Sequence, residues 1–131
     1  MLRISQQIID LIIEHAKNGL PEEVCGYLAG TDRHVTKHFA MTNIDHSPEH
    51  FSFDPSEQFK VLREVRKEGL SILANYHSHP ETPARPSVED IRLAFDPGIS
   101  YVIVSLAGEL PDVKSFNIKN GEVENEEIKI L

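Results

Sequence analysis

The chain has a single cysteine, Cys25, in its 131 residues, which excludes an intrachain disulfide and fits a reducing compartment such as the cytoplasm. No apolar run approaches the ~20 residues that span a bilayer, so no membrane segment is expected. The opening MLRISQQIIDLIIEHAK is not a signal peptide, because Asp10 and Glu14 interrupt its apolar positions at helical spacing. A long basic stretch is also missing. With 13 Lys and Arg against 21 Asp and Glu, the net charge is −8, which argues against nucleic acid as the main ligand. The basic residues of KVLREVRK share their segment with Glu57, Glu64 and Glu68, and read as a solvated helix face. The sequence contains no internal repeat, linker or low-complexity segment. A length of 131 residues therefore predicts one domain over 1–131, enough to bury a sizeable core.

Ser5 can cap a first helix whose Ile8, Ile9, Leu11, Ile12 and Ile13 share one broad face, with Gly19 as its stop. PEEVCGYLAG reads as a short buried strand, TD as a turn, and HVTKHFAMT as a second strand. Asn43 to His50 is a loop, and Phe51-Ser52-Phe53 a brief strand. Asp54-Pro55-Ser56-Glu57 combines a capping residue, a proline at the first helical position and a glutamate at the third. That helix should run to about Glu68, ahead of Gly69. SILANYH is a strand, Ser87 opens the short helix VEDIRLAF, and YVIVSL is the most apolar strand and central. VKSFNIKN and EVENEEIKIL form a terminal hairpin around Asn120-Gly121. The fold class is mixed α/β (α+β), with a largely antiparallel sheet flanked by about three helices.

Residues 75 to 91, NYHSHPETPARPSVEDI, carry the chemistry. If the strand continues through Ser78, His77 and His79 project from one face and Ser78 points away. Pro80 cannot donate to a ladder and ends the strand. The loop that follows leads to Ser87, and Asp90 falls on the first turn of the next helix, where a carboxylate is favoured. Two imidazoles and one carboxylate suit zinc, and three protein ligands leave a fourth position for water, as in catalytic sites. The plain alternative is that the histidines are ordinary loop residues, Ser87 only a helix cap, and Asp90 only a first-turn acid. A general base is not evident, because the sequence has no His-Glu-x-x-His. Glu22, Glu23, Glu81 and Glu89 are all candidates on the residues alone.

The run His77-Ser78-His79-Pro80, six residues, then Ser87-Val88-Glu89-Asp90 resembles the JAMM signature of the MPN-plus zinc metalloproteases. The likeness extends over nearly the whole chain and is closest to the small stand-alone prokaryotic members. It implies an MPN, cytidine-deaminase-like fold with one zinc ion held by His77, His79 and Asp90. It implies Glu23, just ahead of Val24-Cys25-Gly26, as general base, and Ser87 as a hydrogen-bond donor to the tetrahedral oxyanion. Ser87 remains a helix-cap candidate as well. Cys25 is read as a small buried hydrophobe. His46 and His50 are either surface residues or flank a substrate groove. His15, His34 and His38 have no partner pattern and are expected at the surface.

Relatives of that fold cleave after the C-terminal diglycine of ubiquitin or ubiquitin-like proteins. Only nine residues separate Asp90 from Ser100, so the insertion of the dedicated deubiquitinases has no room here. The resemblance therefore implies a ubiquitin-like sulfur-carrier protein as substrate, with its tail held as an added strand and residues 43–53 as one wall. A homodimer is compatible with the sequence. The alternatives are a cysteine-releasing or small-peptide metallohydrolase, and a non-catalytic MPN scaffold. A nucleic-acid-associated branch of the fold is disfavoured by the charge of −8.

Overall fold

The computed structural model describes residues 1–131. Its elements in chain order are β1 (Leu2–Ile4), α1 (Gln6–Asn18), β2 (Cys25–Thr31), β3 (His34–Met41), α2 (Pro55–Lys67), β4 (Ser71–His79), α3 (Val88–Arg92), β5 (Ser100–Ser105), β6 (Asp112–Lys119), β7 (Glu122–Glu126) and β8 (Ile128–Ile130). Each helix starts where its cap predicts. The Ser5 hydroxyl accepts from Ile8 N–H, the Asp54 carboxylate from Ser56 N–H, and the Ser87 hydroxyl from Asp90 N–H. These bonds satisfy N–H groups that have no partner within the helix.

All eight strands form one mixed sheet in the order β7-β6-β5-β4-β2-β3-β1-β8. The pairs β2/β3, β2/β4, β5/β6 and β6/β7 are antiparallel, whereas β1/β3, β1/β8 and β4/β5 are parallel. The outermost strands, β7 and β8, are neighbours in sequence, with Glu127 alone between them. In a flat sheet, eight strands would hold the two edges about 33 Å apart. One residue spans only ~7 Å between its flanking Cα atoms. The sheet is therefore rolled until its edges nearly meet. The roll is pinned at Glu126, whose carboxylate accepts from Arg33, Ser100 and Ser115 at 2.5–2.7 Å. Burial alone would raise this carboxyl, but those hydrogen bonds and the Arg33 charge hold it below its ordinary value.

Several boundaries differ from the sequence expectation. The predicted strand over PEEVCGYLAG begins only at Cys25, and residues 21–24 form the turn that carries Glu23. α3 ends at Arg92, short of Phe95. Phe51-Ser52-Phe53 contributes only a single bridge, Asn43 to Phe53. The terminal hairpin forms between β6 and β7, with Asn120 and Gly121 both at positive φ as a two-residue turn requires. Its predicted second strand divides, however, and β8 pairs in parallel with β1, a strand absent from the sequence expectation.

Alternation along β4 and β5 separates two packing faces. Tyr76, Val102 and Val104 pack with Ile8, Ile9 and Ile12 of α1. On the other face, Tyr101 and Ile103 join Phe116, Ile118 and Ile91 of α3, while Cys25, Tyr27 and Met41 pack against Val61 of α2. His77 and His79 are out of phase with Tyr76, so their rings lie on the side of α2 and α3.

Candidate functional site

β4 lies between β2 and β5, and its register places His77 opposite Cys25 and Ile103. The strand continues to His79, so the two imidazoles emerge on one face, both buried. Residues 80–87 then bring the chain back, and Asp90 in the first turn of α3 faces the histidines. His77 Nε2 and His79 Nε2 are 3.1 Å apart, with Asp90 Oδ2 at 3.1 and 3.0 Å from them. Asp90 Oδ2 also accepts from Ser87 N–H at 2.9 Å, completing a reciprocal capping box. Burial would raise the Asp90 carboxyl, but the hydrogen bonds from His77 and His79, the His77 charge and the Ser87 N–H hold it far below the usual carboxylate range.

The hydrogen-bonding partners at this cluster test its fit to a metal ion. His79 Nδ1 lies 2.9 Å from the Pro83 carbonyl, which can only accept, so Nδ1 carries the hydrogen. In the neutral ring, Nε2 then presents a lone pair toward an Asp90 oxygen that also presents lone pairs. Two acceptors 3.0 Å apart require a cation between them, either a proton or a metal ion. Tetrahedral zinc with bonds of ~2.0–2.1 Å separates its ligands by about 3.3 Å, close to the spacing here. The donor set and its spacing fit zinc.

Glu23 sits on the turn before β2 and is 4% exposed. Its backbone is held from three sides. Its N–H donates to the Ser47 carbonyl at 2.8 Å, and its carbonyl accepts from Asn43 Nδ2 at 3.0 Å. The next residue, Val24, donates its N–H to Ser78 Oγ at 2.8 Å and accepts from Ser78 N–H at 3.0 Å. Ser78 thus fastens the glutamate segment to the strand that carries both histidines. Glu23 Oε1 is buried without a hydrogen-bond partner. Burial pushes its carboxyl up to about 8; His79 opposes this, and Asp90, Glu89 and Glu49 reinforce it. Among the other candidates, Glu22 faces His46 at 3.0 Å and Glu81 is exposed. Glu89 lines the cavity beside His77 and Asp90.

Ser78→Ala should cost ~1–3 kcal/mol, because the buried Val24 N–H loses its acceptor. Urea titration measures the loss. Ser78→Thr, which retains the hydroxyl, should recover part of that stability.

The Ser87 hydroxyl accepts from Asp90 N–H at 3.0 Å, and its own hydrogen remains available to donate. Capping and oxyanion donation therefore do not compete for the same half of the group. Cys25 is fully buried and burial pushes its thiol up to about 12, which leaves it a packed, inert side chain. Phe51, which lies in the expected 43–53 wall but is not singled out there, stacks on His77 with ring centroids 4.8 Å apart. The loop over 43–53 does flank the site, through His50 and Phe51.

A family model described as prokaryotic homologs of the JAB domain matches residues 5–119. The chain belongs to this prokaryotic JAB family. The "CysO-cysteine peptidase" of Mycobacterium tuberculosis is 34% identical over 135 residues, covering 100% of this chain and 92% of that protein. The "Desampylase" of Haloferax volcanii is 34% identical over 116 residues, covering 83% and 84%. The solution structure of protein DSY2949 from Desulfitobacterium hafniense matches with a TM-score of 0.91 and 46% identity, over 100% of this chain and 93% of that one. The architecture is the JAB1/MPN fold. No helix is long and apolar enough to cross a membrane.

One polar cluster of this JAB domain lies on the opposite face of β4. His15 and His38, expected at the surface, both turn inward to the Tyr76 hydroxyl, at 2.7 and 2.8 Å. Gly26 makes room for this ring, since a Cβ there would collide with it. Burial lowers both histidines, His15 further by the nearby His38, while burial raises the Tyr76 phenol. A histidine lowered on folding binds its proton more readily when unfolded. Its stabilising share is complete above the ordinary value of 6.5 and is lost as pH falls through the lowered folded value. From pH 7.5 to 5 the denaturation midpoint of His38→Gln should therefore shift in the variant's favour relative to the parent, because the variant has lost one of the groups that destabilise the fold on protonation. Parallel pH profiles for the two proteins would remove the cluster from this account.

Proposed function

We propose that this JAB domain is a zinc-dependent metallopeptidase. Its substrate would be the bond after the C-terminal diglycine of a ubiquitin-like sulfur-carrier protein. The observation that carries the reading is the convergence of His77 Nε2, His79 Nε2 and Asp90 Oδ2 within hydrogen-bond distance of one another. The buried Glu23, whose carboxyl interacts electrostatically with His79 and Asp90, supplies the base. His77, His79 and Asp90 would hold the ion, which when bound acts as a Lewis acid and lowers the pKa of water toward ~7.

The remaining steps belong to the chain's own residues. Glu23, ionised, accepts the proton of the attacking water and delivers it to the leaving amine. Burial favours its protonated form, which helps it release the proton to the leaving amine, while the charge of a bound ion would favour the ionised form that takes the proton from water. Ser87 donates its hydroxyl hydrogen to the oxygen that becomes negative as the carbonyl carbon turns tetrahedral. Phe51, lying against the His77 ring, limits its rotation.

β4 is hydrogen-bonded on both sides, by β2 and β5, and offers no free edge to a tail. The tail would instead run beside residues 43–53, next to His50 and Phe51. A second reading, release of free cysteine from a carrier, is supported by the relative named CysO-cysteine peptidase, which spans this whole chain. The name desampylase on another relative supports a protein conjugate as substrate.

The test is mass spectrometry of a diglycine-ended carrier extended by cysteine or a short peptide, with and without chelator. Cleavage directly after the second glycine, abolished by chelator, is expected. A bulky residue in place of that glycine should prevent it. Chelator-insensitive trimming, or equally fast cleavage of the bulky carrier, would overturn the reading.

A further inference from the structure

The two histidines of the cluster are not equally supported. His79 has an outer partner, the Pro83 carbonyl at 2.9 Å from Nδ1. His77 Nδ1 finds no partner within the protein, although the residue is only 3% exposed. If His77 ligates through Nε2, its neutral ring must carry a hydrogen on Nδ1. A buried N–H without an acceptor costs ~1–3 kcal/mol. Ligating histidines almost always donate that hydrogen to a carboxylate, carbonyl or water.

One further buried polar atom is unpaired on the same strand. Asn75 Oδ1 has no hydrogen-bond partner, and Asn75 lies two residues before His77, on the same face. Both residues line one cavity of about 50 Å³, whose apolar wall includes Phe51, Leu93, Tyr101 and Ile118 and whose polar wall includes Glu89 and Asp90. A donor and an acceptor thus share a mostly apolar chamber beside the cluster, although neither is paired with the His50, Glu89 or Asp90 side chains that also line it. Along a strand, residues i and i+2 are ~6.7 Å apart, too far for a direct short bond but suited to one intervening molecule. A water needs only ~10–15 Å³ by this measure, together with polar partners.

We propose that Asn75 is a positioning residue for His77, acting through a water molecule in this cavity that accepts from His77 Nδ1–H and donates to Asn75 Oδ1. The bridge fixes the tautomer of His77 and the plane of its ring, and completes the support that Pro83 gives to His79. The inference rests on the reading of His77 as a zinc ligand.

The test is zinc affinity, measured by competition with a chromophoric chelator, for the parent and for Asn75→Leu, Asn75→Ala and Asn75→Asp. Circular dichroism serves as the fold control. Losing an outer-shell partner weakens metal binding ~10–100-fold. That loss is expected for Asn75→Leu, which fills the chamber, excludes the water and strands Nδ1–H. Asn75→Ala should be milder, because it enlarges the chamber and lets further water reach His77. Asn75→Asp should bind within about threefold of the parent, since a carboxylate accepts the same bond. A purely packing role predicts the reverse order, with alanine worse than leucine, and that order would overturn the proposal. Equal affinity of Asn75→Leu and parent would overturn it too, with the zinc site intact. A parent that takes up no zinc would instead overthrow the metal reading, and this inference with it.

Discussion

Glu23→Gln is expected to lower kcat by roughly 10²–10⁴ while leaving the zinc content unchanged. Glutamine has nearly the shape of glutamic acid, and its amide cannot take a proton from water. The backbone bonds to Ser47, Asn43 and, through Val24, Ser78 do not involve the side chain. The same variant should be more stable than the parent when both are stripped of metal. Burial raises the Glu23 carboxyl from 4.5 to about 8, so folding favours its protonated form. The cost of keeping it ionised grows as pH rises from the lower value through the higher one. At neutral pH a neutral amide removes that cost, a gain of ~1–3 kcal/mol. Steady-state turnover and urea titration with chelator present measure the two effects. Glu22→Gln should change little, because that side chain faces His46. Equal loss of activity in the two variants would reject Glu23 as the base.

The second large effect is on metal. Asp90→Ala should weaken zinc binding by ~10³-fold or more, because one of three protein ligands is lost from a site whose total binding energy is of order 10 kcal/mol. It also deletes half of the capping box, the acceptor for Ser87 N–H. Asp90→Asn separates these contributions. The amide oxygen can still accept from Ser87, so the start of α3 should hold, while the neutral ligand remains much weaker toward zinc. Elemental analysis after dialysis, with hydrogen exchange across residues 87–92, reads both. Zinc content equal to the parent in Asp90→Ala would show that the ligand set is wrong.

The parts of this site that were legible in the sequence are the local ones. His77 and His79 meet because strand alternation makes them, and Asp90 returns because a helix can start at Ser87. The choice of Glu23 over Glu22, Glu81 and Glu89 comes from a family resemblance, since its position depends on the bond between its neighbour Val24 and Ser78, 54 residues apart. Asn75 and the pairing of His15 and His38 with Tyr76 leave no sequence signal, and Phe51 is legible only as part of the 43–53 wall. Their roles arise from strand order and register, which residue periodicity does not encode. The short strands β1 and β8 escaped for the same reason: three residues each give too little alternation to recognise, and each exists because the other is there.

The junction at Glu127 also bears on how the molecule is assembled. Closing the roll joins Leu2–Ile4 to Ile128–Ile130, a loop of well over a hundred residues whose entropy must be met before any of those bonds form. Such long-range closure slows folding relative to a chain of similar size with local pairings. The residues of the metal cluster lie between positions 77 and 90 and require no such closure among themselves. The ladder from β2 through β6 can therefore form first, with the seam at β1 and β8 the last part to zip and the first to open. In hydrogen exchange, the amides of Leu2 and Leu131, which bond across that seam, should lose protection well before those of β4.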